Sequence, residues 1–82
     1  AHLKYFMIPH FWIDPNPVVD ILNINTSYKF DVIYITNIFG QTVYQNKGNI
    51  TQIDVSDFTT GLYILKIINK NGFEINQMFV IK

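Results

Sequence analysis

The sequence has no cysteine, no excess of charge of either sign and no long apolar run. The missing cysteine excludes a disulfide framework and a thiolate metal site. Basic and acidic residues number 6 each, so the chain lacks the positive field with which proteins bind nucleic acid or anionic lipid. No apolar stretch approaches the roughly 18 to 20 residues of a membrane-spanning helix. We therefore predict a soluble domain that neither binds nucleic acid nor spans a membrane.

Catalytic and metal-binding motifs are missing as well. The two histidines, His2 and His10, lie near the start of the chain, and there is no HExxH motif, glycine-rich phosphate loop or G-x-S-x-G elbow. Asp54, Ser56 and Asp57 are close in sequence but too few to hold calcium, and aspartates beside a turn commonly bond their own backbone. The sequence predicts no catalytic residue, no metal site and no cofactor.

The length of 82 residues fits one small domain. A chain of this size buries only about 60% of the surface of its unfolded state. We assign residues 13–82 to this domain and residues 1–12 to an upstream linker or an expression remnant. The opening segment lacks the pattern of a secretory signal peptide, and there is no initiator methionine. We expect the chain to be a piece of a longer precursor.

The stretch at residues 53–68, IDVSDFTTGLYILKII, reads as two strands joined by a tight corner. Apolar Ile53 and Val55 alternate with polar residues, which is the period of a half-buried strand. After the corner, residues 62–68 are largely apolar on both faces, so this strand is predicted to lie inside a sheet rather than at its edge. Gly61 supplies a backbone conformation that other residues adopt only at a cost.

Several further short strands follow from alternation and turn residues. A brief strand is predicted at residues 11–13. It ends at residues 14–17, DPNP, which form a rigid bend because each proline fixes φ and removes a hydrogen-bond donor. Residues 32–45 predict a hairpin broken at Gly40, and the Asn71-Gly72 pair predicts a type I′ hairpin turn before the last strand, residues 74–81.

The expected fold is all-β: a small Ig-like antiparallel β-sandwich of about six to seven short strands, with a barrel as the alternative. Two packed sheets allow the inward side chains to meet in one core. The residues predicted to face that core are Leu22, Ile24, Ile33, Ile35, Val43, Ile53, Val55, Tyr63, Leu65 and Ile67. For Tyr63 we expect a buried ring whose hydroxyl reaches a partner at the rim.

Four landmarks occur in a fixed order: PNPVVD at residues 15–20, ITNIFGQTVY at 35–44, IDVSDFTTGLYILKI at 53–67, and FVIK at 79–82. With these landmarks, residues 13–82 resemble the C-terminal sorting domain (type A) of cargo proteins of the bacterial type IX secretion system. The first and third landmarks are specific in combination, whereas the second and fourth are weak alone.

The resemblance implies a non-catalytic secretion signal at the end of a larger exported protein. It implies recognition of the folded domain by the outer-membrane translocon and its shuttle protein, and removal by a surface sortase-like peptidase that can attach the cargo to lipopolysaccharide. The implied location is the periplasm in transit and then the cell surface or the medium.

Two motifs depart from the family pattern, at three positions in all. Asp14 stands where the first motif usually has tyrosine, which puts a packing contact in doubt. Asn37 and Gln41 stand where the second motif often has an acidic and a basic residue, so a role that needs charge there is weakened. Asn37 is still expected to make a local turn bond.

The residues predicted to hold or present the recognised surface come from these landmarks: Pro15, Asn16, Pro17, Asp20, Gly40, Gly61, Phe79, Val80, Ile81 and Lys82. The last strand is apolar in succession and ends the sequence with Lys82, so an exposed strand edge there is a template for a partner strand. The alternatives are purely structural roles: the prolines only stiffen a bend, Asp20 caps that bend, and the last strand is simply part of the sheet.

A carbohydrate-binding or adhesive β-sandwich module is the rival function. Exposed aromatic rings with polar neighbours bind sugars. The candidates for such a platform are Phe11, Trp12, Tyr28, Tyr34 and Tyr44. The position of the domain at the end of the polypeptide is expected to favour sorting over this reading.

Overall fold

Seven β-strands form the described part of the chain, residues 11–82 of the computed structural model. The strands are β1 (Phe11–Asp14), β2 (Ile21–Thr26), β3 (Val32–Asn37), β4 (Thr42–Lys47), β5 (Gln52–Asp54), β6 (Gly61–Ile68) and β7 (Glu74–Ile81). They pair antiparallel in two sheets, ordered β1-β2-β5 and β4-β3-β6-β7. The predicted two-sheet sandwich is confirmed, and β6 lies inside its sheet as expected.

The core lies between the two sheets and is built from alternate residues of each strand. Nine of the ten predicted inward residues are buried, from Leu22 to Ile67. The structure adds Phe11, Val18, Phe30, Ile75, Phe79 and Ile81. Within residues 11–82 no polar or charged residue is buried, so the interior is apolar except for the Tyr63 hydroxyl at its rim.

Val43 is the predicted core residue that the structure places outside, with 42% of its surface exposed. The register of β3 and β4 shifts here: Ile35 pairs with Tyr44, but Thr36 pairs with Thr42, which leaves Val43 unpaired. An extra residue of this kind is a β-bulge, and it reverses the alternation of side chains beyond it. Tyr44 therefore packs against the core in place of Val43.

The turn between β6 and β7 also differs from the type I′ prediction. Gly72 N–H donates to the carbonyl of Asn69 at 3.0 Å, and Asn69 N–H donates to Phe73 at 3.0 Å. This is a three-residue loop closed by a glycine with φ of +86°, and not a two-residue loop centred on Asn71 and Gly72.

Tyr63 locks the corner between β5 and β6. Its ring is buried, and its hydroxyl donates to the carbonyl of Thr59 at 2.7 Å. This confirms the predicted rim partner and has the geometry of the tyrosine corner of immunoglobulin-like sandwiches. The corner therefore fixes where β6 begins.

Two further predictions concern the start of the chain and membranes. The division between residues 12 and 13 stays a prediction, since β1 begins at Phe11 and residues 1–10 lie outside the described residues. In the part that is described, no helix is long and apolar enough to cross a membrane.

Candidate recognition surface

The four sequence landmarks converge on one end of the sandwich, which we call the motif end. It consists of the residue 15–20 segment, the β3–β4 turn, the residue 55–60 corner and the end of β7. The pairings of Asn37 with Tyr63 and of Gly61 with Ile81 join three of these parts. Val18 joins the fourth through a parallel bridge to Ile81. Positions far apart in sequence thus form one continuous surface.

The residue 15–18 segment lies along the outer edge of β7. Val18 N–H donates to Val80 and Lys82 N–H donates to Val18, both at 2.8 Å. The side-chain Oδ1 of Asn16 accepts a hydrogen bond from Val80 N–H at 3.2 Å. Val18 itself is fully buried, so the bend is anchored by packing as well as by backbone bonds. Asn16 and its neighbouring prolines stay exposed around this anchor.

This contact closes the strand edge that the sequence predicted to be open at residues 79–82. Because outward backbone groups recur every second residue, those of Glu74 and Asn76 face the same way as Val80. Within residues 11–82 they have no backbone partner. The free edge is therefore the half of β7 nearest the β6–β7 turn. Recognition of β7 by a partner strand stays a prediction.

The side chains of β7 alternate between the core and the outer face. Phe79 and Ile81 are buried, whereas Val80 and Lys82 are exposed. Phe79 stacks on Tyr63 with ring centroids 5.9 Å apart. Phe79 and Ile81 thus hold the shape of the motif end, and a partner can touch Val80 and Lys82.

The β3–β4 turn, residues 37–41, is held by Asn37. Its Oδ1 accepts hydrogen bonds from the N–H groups of Phe39 at 2.9 Å and Gln41 at 3.0 Å. Gly40 N–H donates to the Asn37 carbonyl, and Gly40 has a φ of +82° that favours glycine. The Asn37 Nδ2 also donates to Gln41 Oε1 at 2.8 Å. The expected local bond of Asn37 is confirmed, and an amide–amide hydrogen bond also joins its side chain to Gln41.

The rigid turn presents two apolar side chains to solvent. Ile38 is 65% exposed and Phe39 is 80% exposed. An open groove of about 380 Å³ runs between them and the start of β6, and Val43, Gly61 and Leu62 are among its lining residues. Sequence analysis missed Ile38 and Phe39, although the Asn-x-x-Gly spacing places both middle residues at the tip of a hairpin.

The apolar surface continues onto the outer face of the four-stranded sheet. Leu62 pairs with Val80 and Ile64 pairs with Met78, and their side chains point away from the core. Large exposed apolar areas on a small domain are typical of interaction sites. We call this surface the apolar patch; its exposed members are Ile38, Phe39, Val43, Leu62, Met78 and Val80.

Asp20 joins two parts of the motif end through its backbone. Its carbonyl accepts a hydrogen bond from Val55 N–H at 2.8 Å, which ties the residue 15–20 segment to the corner before β6. Its side chain is exposed and makes no hydrogen bond within residues 11–82. The predicted capping of the bend by this carboxylate is therefore not seen, and its carboxylate is accessible.

The acidic residues near the corner form a turn rather than a reactive site. Ser56 donates to Asp54 Oδ1 from its hydroxyl at 2.6 Å and from its backbone N–H at 2.9 Å. These two bonds, the side-chain bond first, lower the pKa of Asp54 below its usual 3.8. No group of three or more potential metal ligands occurs among the residues that the structure describes.

The aromatic platform predicted for the rival function is not assembled. Phe11 and Trp12 are neighbours in β1 and face opposite sides of the sheet, with Phe11 buried. Tyr28 packs near Phe73 at 6.0 Å, and Tyr34 lies on the other sheet. The five rings therefore do not share a surface, because strand alternation separates them.

Comparison with protein families matches residues 13–82 to the secretion system C-terminal sorting domain. No curated protein matches the sequence. Among solved structures, the chain is similar to PorZ of Porphyromonas gingivalis, described as an essential bacterial surface component of the type-IX secretion system. The TM-score is 0.71 at 17% identity, over 88% of this chain and 11% of PorZ, so the likeness shows a shared fold with a small part of that protein.

Proposed function

The chain belongs to the family of secretion system C-terminal sorting domains, and we propose that it directs an exported protein across the outer membrane through the type IX secretion system. The family is non-catalytic and acts as a secretion signal. Its cargo belongs with secreted or surface proteins, and the domain interacts with the secretion machinery. In the proposed route the precursor reaches the periplasm by a separate signal and then crosses to the surface.

The proposed mechanism is recognition of the folded motif end by the translocon and its shuttle protein. The observation that carries this proposal is the convergence of four distant landmarks on one end, joined by Val18 to Val80 and by Gly61 to Ile81. A short linear signal needs no such assembly, whereas a recognition surface made of distant segments requires it. Because buried residues fix the shape of the motif end, unfolding of the domain would remove the surface that the translocon recognises.

Within this mechanism the predicted site residues divide into two groups. Asn16, Gly40 and Gly61 set the shape of the backbone, with the prolines beside Asn16, and Phe79 and Ile81 hold that shape from the core. The groups open to direct contact are the exposed side chains of Asp20, Val80 and Lys82. The apolar patch supplies the contact area, because burying apolar surface is the main favourable term in most protein association.

Removal of the domain by a surface sortase-like peptidase completes the proposed route. The cut then falls before the sandwich, since residues 11–82 are held in paired strands and tight turns. Extended, unpaired backbone is the usual site of proteolysis.

A reporter fused upstream of the full chain tests the proposed function. The fusion carries its own inner-membrane signal and is expressed in a bacterium with type IX secretion and in a strain without the translocon. We expect release or surface display in the first strain and periplasmic retention in the second. The same reporter without the chain is the control and stays in the periplasm of both. Retention of the folded fusion in the competent strain would refute the proposal.

A further inference from the structure

The outer face of the three-stranded sheet carries an ordered row of polar side chains. The register pairs Trp12 with Asn25, Asp14 with Asn23, and Asn23 with Gln52. Their neighbours Phe11, Leu22, Ile24 and Ile53 are buried, so strand alternation turns this row away from the core. We call it the Trp12 face. It belongs to the other sheet from the apolar patch.

Hydrogen bonds hold the side chains of this row in place. Asp14 accepts one from Asn23 Nδ2 at 3.2 Å on one carboxylate oxygen and one from Asn25 Nδ2 at 3.0 Å on the other. Asn23 Oδ1 accepts a further bond from Gln52 Nε2 at 3.1 Å. The three amides are thereby oriented before any ligand arrives, which lowers the entropy lost on binding.

The row retains unused hydrogen-bonding capacity. A primary amide has two N–H donors and an oxygen with two lone pairs. Each of the three amides donates one N–H within the row, so each keeps a second one. The carbonyl oxygens of Asn25 and Gln52 accept no bond from the row. The face therefore offers fixed donors and acceptors side by side.

Trp12 adds an exposed aromatic surface beside these groups. It is 56% exposed and lines a shallow depression of about 410 Å³ together with Asn25, Thr26 and Ser27. An indole left in water at this position is not explained by core packing. It supplies a flat apolar surface next to polar groups.

We propose that the Trp12 face binds a neutral polysaccharide built of β-linked hexopyranose units. Such a sugar ring has a flat C–H face that stacks on an indole and a rim of hydroxyl groups that both donate and accept hydrogen bonds. An anionic ligand is disfavoured, since the face holds the Asp14 carboxylate and no basic residue in the row. This binding is independent of the proposed sorting function, because it uses the opposite sheet.

The single tryptophan allows a direct test. The full 82-residue chain is titrated with β-1,4-linked glucose hexamer, β-1,4-linked mannose hexamer and β-1,3-linked glucose hexamer, and Trp12 emission is recorded. We expect a saturable change in emission with at least one hexamer and a Kd on the order of 1 mM, as suits one stacked ring and a few hydrogen bonds.

Variants are compared by chemical shift changes of backbone amides, which do not require the indole. We expect Trp12→Ala and Asn25→Ala each to weaken binding at least about tenfold, while the matched control Phe39→Ala on the other sheet binds as the parent does. Thermal unfolding confirms that each variant folds. The proposal is overturned if no hexamer causes a change at about 10 mM, or if Phe39→Ala weakens binding while the two face variants do not.

Discussion

Asn37 and Asn69 make the same turn at opposite ends of the four-stranded sheet. Each Oδ1 accepts two backbone hydrogen bonds, from residues two and four positions further on, and each carbonyl accepts one from the glycine three positions on. The two residues have the same structural task, but only Asn37 lies at the motif end. They therefore separate a loss of stability from a loss of recognition.

We predict that Asn37→Ala and Asn69→Ala each lower the free energy of unfolding by about 1 kcal/mol, since each removes one side chain that satisfies two turn amides. Export of a fused reporter is expected to fall for Asn37→Ala and to stay near the parent level for Asn69→Ala. Urea unfolding and reporter release measure the two effects. Equal losses of export in both variants would show that export depends on the stability of the domain and not on the Asn37 turn.

Asp54 gives a residue-scale prediction about pH. Its pKa is held below 3.8 because the hydroxyl and the N–H of Ser56 both bond its ionised form. Because the folded state has the lower pKa, the ionised Asp54 carboxylate contributes its full stabilisation above pH 3.8, and this contribution is lost as the pH falls through the pKa of the folded state.

An NMR titration of the Asp54 carboxyl is expected to give a midpoint below pH 3.8. Ser56→Ala is expected to raise this midpoint towards 3.8, because it removes the side-chain hydrogen bond, which lowers the pKa more than the backbone bond does. A parent midpoint at or above 3.8 would contradict the Asp54–Ser56 geometry.

At the scale of the elements, β7 combines two roles in alternate residues. Phe79 is almost fully buried against Tyr63, while Met78 lies on the outer face and is 52% exposed. Removing residues 79–82 as a block is therefore expected to unfold the domain, so such a deletion would not separate recognition from folding. Single substitutions on the two faces are more informative.

Phe79→Ala is expected to lower the free energy of unfolding by about 3–5 kcal/mol through cavity formation. Met78→Ala is expected to change it by less than about 0.5 kcal/mol, as is usual for a surface site. Chemical unfolding curves of the two variants test this difference. Similar destabilisation by both would mean that the alternation of β7 is assigned incorrectly.

Most of the strands were predictable because their signals are local. Alternation of apolar and polar residues located β2, β3 and β5, apolar runs next to turn residues located β6 and β7, and the two glycine turns located the hairpins. Val43 was misplaced because the bulge depends on how β3 and β4 pair, which no local pattern records. The β6–β7 turn was misjudged because the side chain of Asn69 competes for the amides that define a type I′ turn.

The site was only partly predictable, for a related reason. The landmarks were visible in the sequence, but the bonds between the residue 15–18 segment and β7 join positions more than 60 residues apart. Val18 was not among the predicted core residues, and the structure buries it completely. Ile38 and Phe39 lie at the tip of the turn that Asn37 holds, and the Asn-x-x-Gly spacing was the sequence signal that could have located them.

At the scale of the whole molecule, the two ends of the four-stranded sheet differ in composition. The motif end presents Ile38 and Phe39 from a rigid turn, next to the covered edge of β7. The opposite end carries the β6–β7 turn, where Phe73 is 51% exposed and rests near Tyr28. Recognition is proposed at the motif end only.

The most direct test is export of reporter fusions carrying Phe39→Ser or Phe73→Ser, measured together with the unfolding free energy of each domain. Both substitutions remove a phenylalanine that is more than half exposed at a turn. Phe73 is the more packed of the two, since it lies near Tyr28, and the unfolding free energies account for this difference. We predict that Phe39→Ser reduces release at least about tenfold, equivalent to 1.4 kcal/mol of binding, while Phe73→Ser exports normally. Normal export of Phe39→Ser, or an equal loss in both variants, would contradict recognition at the motif end.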